Sequence, residues 1–311
     1  MVLPLVSVVI PTFERPNYLK RSINSVLLQD YEQIEIIVVI DGESKITKKI
    51  LEQYKKNSKI KIRTIETGKK VGGSEARNIG VKNSVGAFIA FLDDDDEWLQ
   101  DKVSSQIELI QSENLTENDN FICFTSLYTY KSGFPEKLKK LPRVNFEDSK
   151  NNRIIDYLFE PVGFYNQGFM QTSTILIPKK IFEKVPFTKG LVKHQDWDWL
   201  INLEQRLSPK VIQVTDPKVI FHTDVPETHR VGISNKWRFS EKWLDNKKSV
   251  FTDKGYASLL FSAVIIRISA SSLSFKEKIL NISKQFKKLP IKSFFNLYSL
   301  KSIIYVIKNL V

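Results

Sequence analysis

The chain has 311 residues but only one cysteine, Cys123, and three histidines. A lone thiol excludes an intramolecular disulfide framework and fits a reducing compartment. The same scarcity leaves too few nitrogen and sulfur ligands for a structural zinc site. No run of 18 apolar residues occurs, so no segment is expected to cross a bilayer as a helix. Residues 1–10 are apolar but lack a basic start and a small-residue cleavage site, so no secretory signal is expected. Neither G-x-G-x-x-G nor a Walker A loop follows a strand pattern, which argues against dinucleotide and P-loop chemistry. Low-complexity and disorder-prone composition are absent as well.

What is present describes a globular chain, long enough for one large α/β domain and an appendage. The formal charge is +12, and it is unevenly placed. Residues 245–311 carry twelve Lys/Arg against three Asp/Glu. Such a basic end points to an anionic partner, either a membrane surface or a nucleic acid.

The first 130 residues alternate short apolar runs with helical spacing. Strands are predicted at 6–10, 34–40, 60–65, 87–92 and 121–125. Helices are predicted at 18–28, 46–54, 74–82 and 99–110. The run 34–40 is continuous and apolar apart from Glu35. Continuous apolar strands separated by helices predict a mostly parallel, Rossmann-like sheet covered on both faces. Further on, 172–177 and 210–214 read as strands and 196–207 as a helix, while the chain beyond 235 is largely helical with a break at Pro290. Ligands of parallel sheets bind outside the carboxyl ends of the strands. Three predicted strands end in chemically useful residues: Pro11-Thr12-Phe13-Glu14, Asp41-Gly42, and Asp93-Asp94-Asp95-Asp96.

Four consecutive carboxylates repel one another unless a cation or a hydrogen-bond network compensates. Hard oxygen ligands suit Mg²⁺ or Mn²⁺, which bind through one or two carboxylates plus substrate phosphates. A solvated acidic turn leading into the next helix is the plainer alternative. The apolar strand that feeds the run favours the metal reading.

Four motifs then carry a specific resemblance. VVIPTF at 8–13, IVVIDG at 37–42, GSEARNIG at 73–80 and FLDDDDEW at 91–98 resemble, in order and spacing, glycosyltransferase family 2 with the GT-A fold. The likeness reappears at HQDWDW, 194–199, and near His222. It implies a catalytic domain over 1–235, with a nucleotide-binding half at 1–110 and an acceptor half at 111–235. A basic amphipathic helical region would follow at 236–311.

The resemblance also implies site roles. Pro11, Thr12 and Glu14 would line the nucleotide pocket, and Asp41 would meet the base, typically uracil. Arg77 and Asn78 would face the ribose and phosphates. Asp93 and Asp95 would form the DxD pair, with Asp95 on the metal and Asp93 nearer the ribose. Asp94 and Asp96 remain candidates because the run of four leaves the register open. His222 is a candidate third metal ligand, Arg230 a candidate for closing over the diphosphate, and Trp197, Thr172 and Ser173 candidates for the acceptor site. The metal neutralises charge growing on a nucleoside diphosphate as it leaves.

Inverting transfer also needs a carboxylate that takes the proton of the acceptor hydroxyl. The resemblance implies a base at Asp196, following Gln195 where an acid is more usual. Asp198 is the rival, and the two cannot share a helical face because i and i+2 point apart. The expected donor is a nucleotide sugar, a UDP-sugar by family tendency, and the acceptor a glycan or lipid-linked glycan. Mixed lysines and apolar residues beyond 276 suggest peripheral contact with the inner face of the cell membrane.

Three other classes remain. A sugar-nucleotide nucleotidyltransferase would want a glycine-rich loop after the first strand, where Pro11-Thr-Phe-Glu-Arg15 stands. A nucleic-acid binder is disfavoured by the absence of a reading motif. An inactive nucleotide-binding relative sits poorly with intact Asp93, Asp95 and Asp196.

Overall fold

The computed structural model describes residues 3–131, 138–149, 153–223 and 235–310. The chain divides into two compact units, one of Met1–Pro142 with Met170–Val225, the other of Arg143–Phe169 with Pro226–Val311.

The first unit is built on a nine-stranded sheet. Its parallel half comes from β1 (Val6–Thr12), β2 (Ile34–Ile40), β3 (Lys61–Glu66) and β4 (Phe88–Phe91), in the order β3-β2-β1-β4. Helices α1 (Pro16–Leu27), α2 (Lys45–Asn57) and α3 (Gly73–Lys82) make the crossovers. β5 (Glu97–Trp98) and α4 (Lys102–Ser112) follow the aspartates. The other half is mixed. β6 (Phe121–Tyr130) carries β7 (Lys139–Leu141) antiparallel on its edge.

After the segment belonging to the second unit, a 3-10 turn at Thr172–Thr174 leads into β10 (Ile175–Pro178), which runs antiparallel to both β4 and β6. α6 (Lys179–Lys184), α7 (Gln195–Leu207) and β11 (Lys210–His222) complete the unit. β11 lies parallel to β6, with bulges between Val214 and Val219, and antiparallel to β5. The expectation of a mostly parallel sheet therefore holds for the first half, and the antiparallel β10 is what joins the second half to it.

Local sequence explains the register of the parallel half. Every residue of β2 is buried, as a continuous apolar run requires in a sheet covered on both faces. The one polar residue, Glu35, is satisfied internally. It accepts from Ser7 Oγ (2.6 Å), the Val85 N–H (2.7 Å) and Arg63 Nη2 (2.8 Å). Burial alone would raise its pKa, but these donors hold it below the ordinary value. Gly80 lets α3 lie directly on β1, since a Cβ there would stand 2.3 Å from Val9 Cγ1.

In the second unit, α5 (Ile154–Phe159) and the two-stranded ribbon β8 (Pro161–Val162) and β9 (Tyr165–Asn166) pack with the C-terminal helices. These are α8 (Trp237–Asn246), α9 (Asp253–Leu259), α10 (Ile266–Ser269), α11 (Phe275–Phe286) and α12 (Leu297–Leu310). A π-helical stretch, Leu260–Ile265, makes α9 and α10 one continuous helical run whose core is buried at Leu259, Leu260, Phe261, Val264 and Ile265. Pro290 separates α11 from a 3-10 turn at Ile291–Phe295.

Candidate active site

β1, β2 and β4 are parallel neighbours, so their carboxyl ends lie along one edge of the sheet. The aspartate run leaves β4 at that edge with alternating burial. Asp94 and Asp96 are buried, whereas Asp93 and Asp95 are partly exposed. This alternation divides the four carboxylates into two pairs.

The inward pair is held by the fold. Asp94 accepts from Thr12 Oγ1 (2.7 Å) and Arg15 Nη1 (3.1 Å). Asp96 accepts from Ser173 Oγ (2.7 Å) and Gln171 Nε2 (2.8 Å), while Ser22 Oγ caps its carbonyl at 2.8 Å. Burial pushes the Asp94 pKa up to about 7 and the Asp96 pKa well above the usual carboxylate range. Hydrogen bonding and the charge of Arg15 thus relieve the repulsion on the inner side.

The outward pair meets cations. Arg77 Nη2 pairs with Asp93 Oδ1, and Gln171 Nε2 donates to Asp93 Oδ2 at 3.0 Å. Arg15 Nη1 reaches Asp95 Oδ2 at 3.0 Å, and Arg21 Nη2 holds the Asp95 carbonyl at 2.6 Å. Among the described residues, Asp93, Asp95 and Asp96 offer carboxylate oxygens within 4.8 Å of one another. Hard oxygen donors so spaced fit a divalent cation such as Mg²⁺ or Mn²⁺.

Arg77 is buried midway along α3, which begins after Gly72, whose φ of +89 side-chain-bearing residues rarely adopt. Burial pulls its pKa down, but Asp93 and Asp196 outweigh that and raise it. Its Nη1 donates to Gln195 Oε1 at 3.1 Å, so α3 and α7 meet through this guanidinium. The residue preceding α7, His194, is left-handed (φ 62), as is Glu14 (φ 53) past the end of β1. Strained backbone of this kind clusters at functional sites.

Asp196 stands in the first turn of α7, half-buried. Burial raises its pKa to about 6; Arg77 opposes this, the negative charge of Asp93 adds to it, and the N–H and hydroxyl of Thr172 oppose it. Asp198 is buried instead and accepts from Thr188 Oγ1 (2.6 Å) and Asn202 Nδ2 (2.9 Å). The two residues therefore stand in different environments, as their spacing predicted.

The remaining candidates differ in their surroundings. Thr12, Thr172 and Ser173 join the aspartate network: Thr172 Oγ1 lies 3.4 Å from Asp93 Oδ2, and Ser173 Oγ accepts from the Asp93 N–H at 3.0 Å. Pro11 is half-buried and Glu14 exposed where β1 ends. Asp41 and Asn78 are engaged by backbone. Asp41 accepts from the N–H groups of Val71 (2.5 Å) and Gly72 (2.9 Å), which shapes the turn before α3. Asn78 exchanges hydrogen bonds with both backbone groups of Phe187, each at 3.0 Å. Trp197 stacks on the His194 ring at 4.7 Å.

His222 Nε2 lies 2.6 Å from Glu97 Oε1, and its backbone N–H reaches Asp96 Oδ1 at 3.4 Å. Its ring thus contacts Glu97 and meets the Tyr130 ring edge-on at 4.9 Å. Arg230 lies outside the described residues.

Sequence reasoning missed Arg15, Gln171 and Glu97, as well as Arg21 and Ser22, which hold the backbone of the run. Arg15 had a signal, a cation three residues past a strand end that faces an acidic run. Gln171 had none, because the 3-10 turn that aims its amide at Asp93 and Asp96 is set by tertiary packing.

Comparison with known proteins gives the fold and the family. The chain is 29% identical over 280 residues to the amylovoran biosynthesis glycosyltransferase AmsB of Erwinia amylovora, covering 86% of this chain and 88% of that one. Its fold matches S. aureus TarS 1-349, solved in complex with UDP-GlcNAc, with a TM-score of 0.58 at 15% identity over 99% of this chain and 82% of that one. It also matches the mannosyltransferase PcManGT of Pyrobaculum calidifontis, solved with GDP-Man and Mn2+, with a TM-score of 0.55 at 14% identity over 99% of this chain and 87% of that one. Residues 7–185 match the family described as Glycosyl transferase family 2, and the chain therefore belongs to that family, a glycosyltransferase of GT-A fold.

Proposed function

We propose that the protein transfers a sugar from a nucleoside-diphosphate donor, a UDP-sugar, to a hydroxyl of a glycan acceptor with inversion, in cell-surface polysaccharide synthesis. The observation that carries this reading is the division of the aspartate run beside Arg77 and Asp196. TarS, solved with UDP-GlcNAc, and PcManGT, solved with GDP-Man, support the donor class, and AmsB, named for amylovoran biosynthesis, supports the biosynthetic role. Uracil is preferred on the likeness of the strand-end motifs. In this reading 1–235 is the catalytic region and 236–311 a helical extension, and the acceptor is a glycan or lipid-linked glycan at the cytoplasmic face of the membrane.

Asp95, with Asp93, would hold Mn²⁺ or Mg²⁺, which offsets negative charge on the diphosphate when bound. Arg77 and Arg15 supply fixed positive charge on the same side. The acceptor oxygen attacks the anomeric carbon, its proton passes to Asp196, and the bond to the diphosphate oxygen breaks with the electron pair leaving on the nucleotide. A single displacement inverts the anomeric centre. A base with a pKa of about 6 is ionised at neutral pH yet basic enough to accept a proton. Thr172 orients its carboxylate. Asp198, bound to Thr188 and Asn202, serves the helix.

Calorimetric binding of UDP, GDP, CDP and TDP, each with Mn²⁺ or EDTA, tests the reading on wild type and Asp95→Ala. Metal-dependent binding of UDP, weakened about tenfold or more in the variant, is expected. Binding of no nucleotide by folded protein would overturn it, and metal-independent binding would remove the role given to Asp95.

A further inference from the structure

In the second unit, α12 is turned against the usual sense. The side it buries holds Ser299, Ser302 and Val306. Three and four residues apart, these form one helical stripe. The opposite stripe, Leu297, Leu300, Ile304 and Ile307, is about half exposed at each position. The 3-10 turn just before it adds Ile291 and Phe295, at 78% and 81% exposure. A soluble helix places its apolar stripe inward. Here two serines point in and four aliphatic side chains point out.

From these features we infer that α12 and the turn at Ile291–Phe295 form a surface that lies in an anionic lipid bilayer. Charge complementarity selects this occupant. Residues 275–310 contain eight lysines and one acid, Glu277. Lys287, Lys292 and Lys308 are exposed on the same elements or the loop beside them. An apolar stripe bordered by lysines is the pattern of an interfacial helix, and anionic headgroups attract each lysine. Length decides between lying on and spanning. Fourteen residues extend about 21 Å, short of the roughly 30 Å hydrocarbon core. No helix among the described residues is long and apolar enough to cross a membrane. A second copy of the chain fits less well, because a two-fold contact would set lysine against lysine.

The surface is separate from the sugar-transfer reading, and its test needs no substrate. The full chain is floated with vesicles of phosphatidylcholine alone or mixed with phosphatidylglycerol. Wild type should bind the anionic vesicles and release from them as salt rises. The double change Phe295→Ser and Ile304→Ser, and separately the triple change Lys287→Glu, Lys292→Glu and Lys308→Glu, should each weaken binding about tenfold or more. All these residues are exposed, and unchanged circular-dichroism melts would show that folding is intact. Failure of wild type to float with anionic vesicles overturns the proposal. So does equal binding by either variant. Sedimentation identifies the competing occupant: a wild-type dimer that the Phe295/Ile304 variant turns into monomer, without vesicle binding, would assign the face to a second copy.

Discussion

At the scale of single residues, Asp196 sets activity against stability. Loss of hydration at its half-buried position pushes its pKa up to about 6, above the ordinary value near 3.8. Between those two values the folded state holds the proton that the unfolded state has released. The stability this group contributes is therefore present below pH 4 and lost as pH rises through 6. Asp196→Asn removes the charge, so at pH 8 the variant should be more stable, by on the order of 1 to 3 kcal/mol. Its advantage should fade below pH 4. The same change should lower kcat roughly 10²- to 10⁴-fold. In wild type, kcat/KM should rise with pH through about 6 as the base ionises. Paired melts and rate profiles check this, and a variant less stable at pH 8 with near-wild-type kcat would sink the assignment. Much of this site is legible in the sequence because its residues sit at strand ends: Thr12, Asp41 and Asp93 end or follow β1, β2 and β4. What the sequence leaves open is which aspartates face outward, since four identical residues carry no phase. Burial alternation supplies it. Gln171 and Glu97 act through tertiary contacts made across 75 and 125 residues, and such contacts have no local pattern.

At the scale of elements, β2 and α3 show how far periodicity reaches. The prediction of 34–40 matches β2, and 74–82 matches α3 to within a residue. Both follow from strong patterns, a β-branched run and a glycine entry. β6 and β11 run longer than predicted, to Tyr130 and His222, because their distal ends pair with each other. Pro217 interrupts the strand pattern locally, and the bulges around it let β11 continue. β10 reads as a strand, but its antiparallel seat between β4 and β6 has no local sequence pattern. The packing of α3 on β1 makes a sharp prediction. A methyl group at Gly80 would meet Val9 Cγ1, a fully buried core atom, at 2.3 Å. Gly80→Ala gains helix propensity, worth about 1 kcal/mol, yet must push α3 off the sheet, at a cost of about 1 to 3 kcal/mol. The clash should win, so the urea midpoint should fall. A midpoint equal to or above wild type would mean that α3 can shift freely, and Arg77 with it.

At the scale of the whole molecule, one buried cation should make stability rise with pH above 7. Lys102 begins α4, is fully buried, and stands over the Trp98 ring at 3.8 Å from its centroid. Its Nζ has no hydrogen-bond partner among the described residues. Burial lowers its pKa from 10.5 to about 7. A cation–π contact offsets only part of the desolvation it suffers. Between pH 7 and 10.5 the unfolded chain binds a proton at this lysine that the folded chain does not, so wild-type stability should rise with pH across that window. Below pH 7 both states are protonated and the full cost remains. Lys102→Met keeps the apolar stem and removes the charge. It should stabilise the protein by on the order of 2 to 4 kcal/mol at pH 6, where the cost is complete. The gain should shrink by roughly half or more at pH 9, as the folded wild type sheds the proton. Urea unfolding at the two pH values distinguishes this from simple repacking, which would give the same gain at both. A loss of stability at pH 6 would mean that the ammonium has found compensation in the core, and that the fold relies on its charge.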